Sequence, residues 1–174
     1  MKNSHEKAHS RITGDQAMQW AEVIDNPYFE NLPFKIELNR YGKIEMTPAS
    51  NKHGRLQLHI GALLERKLKK GETLIKCSIQ TTEGVKVADV AWCSKAFIKQ
   101  LGYETPYTHA PEICIEVVSP SNSKEEMTTK VLLYLQAGAE EVWVAWENGI
   151  IDYYDKTGKI ELSNYGINVT IPVK

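Results

Sequence analysis

Long apolar runs are absent from the 174-residue sequence, which argues against a helix that crosses a bilayer. The first residues, MKNSHEKAHSR, are polar and mixed in charge, without the apolar block of a secretory signal. We therefore expect a cytoplasmic protein with no membrane partner. Low-complexity tracts and internal repeats are also lacking, and the apolar and charged fractions, 42% and 25%, are typical of a globular protein.

Cysteine is scarce, and its placement argues against a disulfide framework. Cys77, Cys93 and Cys114 lie far apart, each inside or at the edge of a β-rich apolar segment. This pattern favours reduced core thiols over disulfides or a zinc cluster.

A basic field is missing as well, because 21 lysines and arginines are balanced by 22 acidic residues. Proteins that bind nucleic acid usually carry such a field, which releases counterions from phosphates. The one local cluster, Arg66, Lys67, Lys69 and Lys70, is typical of a solvated helix end. Charge alone therefore does not predict a nucleic-acid ligand.

The patterns that are present alternate between helix and strand signals in a chain long enough for one ordinary domain. We expect a flexible tail over 1–12 and a single domain over 13–174. Capping-box spacings predict helices that begin near Thr13 and Ser123, and further helices are predicted over about 50–68 and 94–101. The predicted strands are 34–38, 43–47, 73–80, 85–93, 113–118, 141–146, 150–154, 159–163 and 168–171.

This order of elements predicts an α/β fold, in which a mixed sheet is flanked by helices and followed by a C-terminal β meander. The run over 113–118 is almost continuously apolar, which indicates a central strand covered on both faces.

Two acidic residues stand in segments that otherwise have the pattern of strands. Glu116 lies within Ile-Cys-Ile-Glu-Val-Val, where a desolvated carboxylate needs a positive or protic partner. Asp89 interrupts the strand 85–93, although aspartate is depleted in strands. If the two strands are neighbours, both carboxylates can bind one hard cation such as Mg²⁺. The alternatives are a glutamate satisfied by a lysine, an arginine or backbone amides, and an aspartate at an exposed strand end or turn.

An ordered set of motifs spanning about 15–154 resembles one known family. The set is Glu37-Leu38, Gly42, Met46-Thr47-Pro48, His53, Ala88-Asp89-Val90, Pro111-Glu112, Ile115 to Ser121, Glu126, Lys130, Tyr134, Gly138 and Glu141 to Val144. Together these motifs resemble the Uma-two family of restriction endonuclease-like proteins, within the PD-(D/E)XK nuclease superfamily. The resemblance implies a restriction-endonuclease-like core, DNA as the partner and substrate, and Mg²⁺ or Mn²⁺ as the cofactor.

The resemblance also implies roles for individual residues. Asp89 matches the first metal-binding acid and Glu116 the second, and the backbone carbonyl of Val117 would complete the metal site. The superfamily lysine that follows the second acid by two positions would fall on Val118. Lys130 on the next helix resembles a relocated lysine, which would orient or deprotonate the attacking water.

Two departures or alternatives accompany these roles. The family usually has proline where this sequence has Ala88, which changes backbone stiffness but not ligand chemistry. Glu126 precedes Lys130 by four residues, so a helix-surface ion pair explains both residues equally well. Glu126 also occupies the capping-box position opposite Ser123, which is a structural role.

Glu37 and His53 complete the candidate site as supporting residues. Glu37 would supply a further acid near the metal, although an acid beside a hairpin is usually solvated. His53 is expected to cap its helix or to support a metal ligand, and contact with phosphate is its less favoured alternative.

The leading hypothesis is metal-dependent hydrolysis of phosphodiester bonds in DNA, with Asp89 and Glu116 as ligands and Lys130 positioning the nucleophile. A second interpretation, favoured by the near-neutral charge, is a catalytically weak or inactive nuclease-fold module that binds nucleic acid or a protein partner. A third is a metal-dependent phosphoesterase that acts on another substrate. Small nucleases of this fold often cut two strands as dimers, so a homodimer is a further expectation by analogy.

Overall fold

The computed structural model describes residues 19–120 and 122–169 of the chain. The helices are α1 (Trp20–Ile24), α2 (Asn51–Lys67), α3 (Lys95–Leu101) and α4 (Lys124–Gln136). The strands are β1 (Phe34–Leu38), β2 (Ile44–Pro48), β3 (Gly71–Thr81), β4 (Gly84–Ser94), β5 (Ile113–Val117), β6 (Glu141–Ala145), β7 (Ile151–Asp155) and β8 (Gly158–Ile160). The predicted tail over 1–12 and the predicted helix start at Thr13 lie outside the described residues.

Six strands form one mixed sheet in the order β3-β4-β5-β6-β7-β8. Neighbouring strands are antiparallel except for β5 and β6, which run parallel. The chain between these two strands contains α4, as the long connection of a parallel pair requires. β1 and β2 form a separate hairpin, which packs through Leu38 against Val85 and Val87 of β4. The predicted α/β fold with a mixed sheet and flanking helices is confirmed.

The central strand β5 is buried along its whole length because helices cover both faces of the sheet. Its odd-numbered residues, such as Ile115, belong to a core cluster with Ile60 and Leu64 of α2. Cys114 faces the other way, into a cluster that contains Val131 of α4. Since side chains alternate along a strand, Glu116 points from β5 toward the α4 side. The prediction of a strand covered on both faces is correct.

The two long helices begin at serine caps, of which the sequence predicted the one at Ser123. The Ser50 hydroxyl accepts a hydrogen bond from the His53 amide at 3.1 Å, and the Ser123 hydroxyl accepts one from the Glu126 amide at 3.0 Å. Glu126 does not complete the predicted box in the usual way, because its carboxylate accepts from the Asn122 side chain at 3.0 and 3.1 Å. Both helices therefore begin beside the same end of β5, and their first turns carry candidate site residues.

The C-terminal meander consists of β6, β7 and β8, which pair in chain order as predicted. A further strand predicted over 168–171 is wrong in its described part, because Asn168 and Val169 do not form a strand. Val169 is instead buried in the core with Tyr153, whose hydroxyl accepts a hydrogen bond from the Val169 amide at 3.4 Å. Burial against an aromatic side chain here replaces strand pairing. Residues 170 and 171 lie outside the described part of the chain.

Two expectations drawn from scarce features can also be compared with the structure. Cys77, Cys93 and Cys114 are all buried free thiols, as predicted. Among the helices of the described residues, none is long and apolar enough to cross a membrane.

Candidate active site

Asp89 and Glu116 lie on neighbouring strands at the centre of the sheet. The antiparallel register pairs Val90 of β4 with Ile115 of β5, so the next residues, Asp89 and Glu116, lie opposite one another. The two side chains are almost fully buried, with exposed fractions of 0% and 2%. The pairing of β4 with β3 is interrupted at Asp89. The residue across from it, Lys76 of β3, has a φ of +57°. The predicted juxtaposition of the two acids is therefore present in the fold.

A single ammonium group joins the two carboxylates. Lys35 of β1 donates from Nζ to Oδ1 of Asp89 at 2.9 Å and to Oε2 of Glu116 at 2.8 Å. The lysine side chain is itself only 10% exposed. Burial alone would lower the pKa of Lys35, but the surrounding charges of Glu116, Asp89 and Glu37 outweigh it and hold the pKa above its ordinary value. Lys35 is therefore a permanent cation at neutral pH.

Asp89 is held in a fixed orientation by donors from three directions. The Val117 amide donates to Oδ2 at 2.8 Å, and the Gln57 side chain of α2 donates to Oδ1 at 3.1 Å. His53 Nε2 lies 3.3 Å from Oδ1. Burial acts to raise the pKa of Asp89, but Lys35 and His53 outweigh it and hold the pKa well below its usual range. Asp89 is consequently ionised and ready to accept a cation.

Glu116 is surrounded by donors from α4 as well as by Lys35. The Tyr134 hydroxyl donates to Oε1 at 2.7 Å, and Lys130 Nζ lies 3.4 Å from the same oxygen. Burial raises the pKa of Glu116 above its ordinary value, although Lys130 and Lys35 oppose the shift. The carboxylate is thus a more basic group than Asp89, in direct contact with two cations.

Lys130 projects inward from α4 and connects Glu116 to Glu37. Its ammonium donates to Oε1 of Glu37 at 2.9 Å, and its side chain is only 6% exposed. The Val87 amide donates to the same Glu37 oxygen at 2.8 Å. Burial would raise the pKa of Glu37, but Lys130 and Lys35 lower it below its ordinary value. The alternative of a solvated Glu37 is therefore wrong, because the carboxylate is buried and paired.

The outer candidates His53 and Glu126 occupy different positions. His53 reaches Ser119 Oγ with Nδ1 at 3.1 Å and Gln57 Nε2 with its own Nε2 at 2.9 Å, so it supports Asp89 from α2. Glu126 is held by Asn122, whose side chain also accepts from the Ser119 amide at 2.9 Å. The surface ion pair considered for Glu126 and Lys130 is not the arrangement seen, since Lys130 pairs with Glu37 and Glu116.

Three contacting residues, Lys35, Gln57 and Tyr134, were not assigned to the site from the sequence. Each is separated from a candidate residue by the spacing that puts two side chains on the same face of a strand or helix. Lys35 shares a strand face with Glu37 two residues later, and Gln57 follows His53 by one helical turn. Tyr134 follows Lys130 by one helical turn in the same way. Face-sharing with a candidate is the signal that could have found them.

A cleft of about 540 Å³ lies beside Lys35, which forms part of its wall, whereas Asp89 and Glu116 do not line it. Its lining includes Trp20 of α1, Ile36 of β1 and Tyr107 of the loop before β5. Lys35 also lines a smaller depression beside His53 and Asn122. The lysine therefore stands between the buried carboxylates and two openings in the surface.

Asp89 and Glu116 are the two buried carboxylates that could hold a divalent cation together. Within residues 19–120 and 122–169, no three histidine, cysteine or acidic side chains are arranged to hold a metal ion together. Two carboxylates nevertheless suit Mg²⁺, which is usually bound through one or two carboxylates and keeps several waters. Their oxygens already share one cationic partner, the Lys35 ammonium.

A family model named Uma2, with the description "Putative restriction endonuclease", matches residues 20–172. The chain belongs to the Uma2 family. This match covers the hairpin, the acidic pair and the meander in one continuous alignment, so the resemblance drawn from the motifs is confirmed. No curated protein matches the sequence of this Uma2 protein.

A solved structure has the same fold as this Uma2 protein. It comes from Anabaena variabilis ATCC 29413 and is described as a "putative nuclease belonging to DUF820". The likeness has a TM-score of 0.64 at 15% sequence identity, and it covers 79% of this chain and 87% of the other. At that identity the likeness concerns the fold alone.

Proposed function

We propose that this Uma2 protein is a Mg²⁺- or Mn²⁺-dependent endonuclease that hydrolyses phosphodiester bonds in DNA. The observation that carries the proposal is a pair of buried carboxylates on neighbouring strands, Asp89 and Glu116. One oxygen of each carboxylate contacts the same cation, the Lys35 ammonium. The family description, a restriction endonuclease, supports DNA as the substrate. Asp89 and Glu116 are the proposed metal ligands, and the carbonyl of Val117 is the proposed third.

The donor set fits a hard divalent cation. All three proposed ligands are oxygens, which Mg²⁺ and Mn²⁺ prefer, and none of the three is a thiolate or an imidazole that would favour a softer metal. Val117 is well placed for its role because its amide already binds Asp89 and it directly follows Glu116. A divalent cation held there would offset the charge that develops on the scissile phosphate and promote ionisation of the attacking water.

The protein's own groups fix the orientation of these ligands. Gln57 and the Val117 amide hold separate oxygens of Asp89, so the carboxylate cannot rotate freely. Tyr134 occupies Oε1 of Glu116 and leaves Oε2 directed at the shared cation position. Such orienting contacts keep the ligand geometry fixed before substrate arrives.

Lys130 is the proposed residue that positions the attacking water and offsets negative charge in the transition state. Its ammonium lies 3.4 Å from Glu116 although it stands on α4, away from the strand position that Val118 occupies. Glu37 holds the amine from the other side at 2.9 Å. Lys130 thus reaches Glu116 from a helix, whereas the superfamily lysine would lie two positions after this acid in the chain. Glu126 and His53 are proposed as supporting residues, and a homodimer is proposed for cutting both strands.

The experiment uses purified protein and supercoiled plasmid with Mg²⁺, Mn²⁺ or EDTA. We expect nicking or cutting that requires the metal and is lost in Asp89→Asn and Glu116→Gln. Glu161→Gln, which changes an exposed acid after β8, is the matched control and should retain full activity. Activity that persists in both site variants would contradict the assignment of these acids. Light scattering of the same samples measures whether the active species is a dimer.

A second candidate function is a nuclease-fold module that binds nucleic acid or a protein without cleavage. The net charge of -1 favours the protein-binding form of this module, because a weak field slows capture of DNA. Absence of cleavage of DNA, RNA and small phosphodiesters, together with absence of Mn²⁺ binding in calorimetry, would support this module instead of the enzyme. Cleavage of RNA or of a small diester, but not DNA, would identify another phosphoesterase.

A further inference from the structure

We propose that Lys35 is an exchangeable counter-ion, which holds Asp89 and Glu116 together until a divalent metal takes its place and then contacts the substrate phosphate. The proposal rests on the proposed function. It assigns a role in metal and substrate binding to Lys35, which the family motifs do not identify. Lys35 acts on the same site as Lys130, but the two lysines behave differently. Lys130 stays in its place, whereas Lys35 moves.

The first argument is the geometry of the ammonium group. Lys35 Nζ lies 2.9 Å from an Asp89 oxygen and 2.8 Å from a Glu116 oxygen, so it stands where both proposed ligands converge. Oδ2 of Asp89 and Oε1 of Glu116 face other donors, the Val117 amide and the Tyr134 hydroxyl. The two oxygens that Lys35 bridges also lie near Gln57 Nε2 at 3.1 Å and Lys130 Nζ at 3.5 Å, but they converge on one point between the acids. A metal that binds both acids at that point takes the place of Lys35.

The second argument is the balance of charge in the buried cluster. Asp89, Glu116 and Glu37 face the two ammonium groups of Lys35 and Lys130, which leaves one net negative charge when all five are ionised. A dication added beside both lysines would make the cluster positive by one. A dication that replaces Lys35 makes it neutral. Because unbalanced buried charge is costly, exchange is favoured over simple addition.

The third argument is the room available to Lys35. Its flexible side chain lines both the cleft of about 540 Å³ and the smaller depression beside His53. The cleft has room for the ammonium group once its carboxylate partners are taken. Lys130 also lines a groove, of about 410 Å³, but its ammonium group is held between Glu37 and Glu116, and Glu37 is not a proposed metal ligand. Lys35 therefore has room to move, and its positive charge suits a phosphate that approaches through the cleft.

The binding test compares Mn²⁺ affinity by titration calorimetry in wild type, Lys35→Met and Lys130→Met. Both variants lose one positive charge beside Glu116, but only Lys35→Met removes the cation that bridges Asp89 and Glu116. We expect Lys35→Met to bind Mn²⁺ about tenfold or more tightly than wild type, and more tightly than Lys130→Met. Equal affinity in the two variants, or no gain in Lys35→Met, would overturn the exchange.

The same titration separates this proposal from the proposed function. If wild type binds Mn²⁺ and Asp89→Asn does not, while Lys35→Met shows no gain, the exchange is wrong and the metal site stands. If no protein binds Mn²⁺, both proposals are wrong. Circular dichroism of each variant establishes that the comparison concerns folded protein.

A second measurement uses wild type alone, so it does not depend on the stability of a variant. The protein is treated briefly with an acetylating reagent, with EDTA or with Mg²⁺, and the modification of each lysine is measured by mass spectrometry. We expect acetylation of Lys35 to be slow in EDTA and several times faster in Mg²⁺, while Lys130 remains slow in both. An unchanged rate at Lys35 under conditions where metal binding is measured would overturn the proposal.

Discussion

Lys130 on α4 donates to Glu37 on β1 at 2.9 Å, and the two residues are 93 positions apart in the chain. The contact joins the small hairpin to the large sheet, because Glu37 also accepts from the Val87 amide of β4. Glu116 lies within 3.4 Å of the same ammonium group, so a pair that positions a proposed catalytic lysine also stabilises the fold. Removal of the Lys130–Glu37 ion pair should therefore affect stability as well as activity.

The Lys130 ion pair gives the first prediction. Lys130→Met leaves Glu37 and Glu116 with one cation fewer in a buried site, and we expect a loss of unfolding free energy on the order of 3 kcal/mol. Glu37→Gln combined with Lys130→Met should recover part of that loss, because one uncompensated charge is removed as well. Urea unfolding of the single and double variants measures the coupling. If the effects of Glu37→Gln and Lys130→Met on the unfolding free energy were strictly additive, the predicted coupling would be wrong.

The orientation of Asp89 gives the second prediction. Gln57→Leu removes the side-chain donor that lies 3.1 Å from Asp89, which frees that carboxylate to rotate. We expect Mn²⁺ affinity or cleavage rate to fall by about 10–100-fold. The control is His59→Gln, which changes an exposed residue of the same helix and should have no effect. Calorimetry and plasmid cleavage check the result, and equal values for both variants would show that Gln57 has only a packing role.

Glu141 gives a third prediction, because it is a buried acid outside the proposed site. Its carboxylate accepts from Trp143 Nε1 and Ser163 Oγ, each at 2.7 Å, and from the Asn164 amide. Glu141→Gln places an amide where acceptors are needed, which should cost about 1–3 kcal/mol of unfolding free energy. Cleavage per folded molecule should be unchanged at low temperature. A selective loss of cleavage without a loss of stability would indicate a role in the reaction.

The buried thiols give a fourth prediction, which concerns pH. Burial raises the pKa of Cys93 to about 12, and it raises the pKa of Cys77 and Cys114 as well. A raised thiol pKa means that the reactive thiolate is scarce at pH 8, and it remains scarce wherever the fold persists. We expect a thiol-specific reagent to react no faster than the protein unfolds, and all three thiols to react in denaturant. A fast reaction of one thiol in native protein would contradict this prediction.

Much of the secondary structure was predicted because its signals act over a few residues. The cap at Ser123 and the β-rich composition of β3 and β4 depend on neighbours along the chain. The prediction failed at Asn168 and Val169, where a short alternating segment packs into the core instead of pairing. A strand pattern of that length does not specify a partner, so tertiary packing decided the outcome.

The candidate acids were predictable for a different reason. A carboxylate inside an apolar strand is costly unless it is satisfied, so Asp89 and Glu116 stand out from the sequence alone. Which groups satisfy them is not a local property. The sequence-based alternatives included a lysine and backbone amides, and the structure contains both, in Lys35 and the Val117 amide.

The sequence by itself indicated most of the described helices and strands, which strand is central and which two acids are out of place. Periodicity, caps and desolvation are each expressed within one element, so they can be recognised there. Only the tertiary structure decided that Lys35 lies between two acids that are 54 and 81 positions away. The reason is physical: an ion pair forms between side chains that the packed sheet and hairpin bring within 3 Å, and chain distance does not enter its energy.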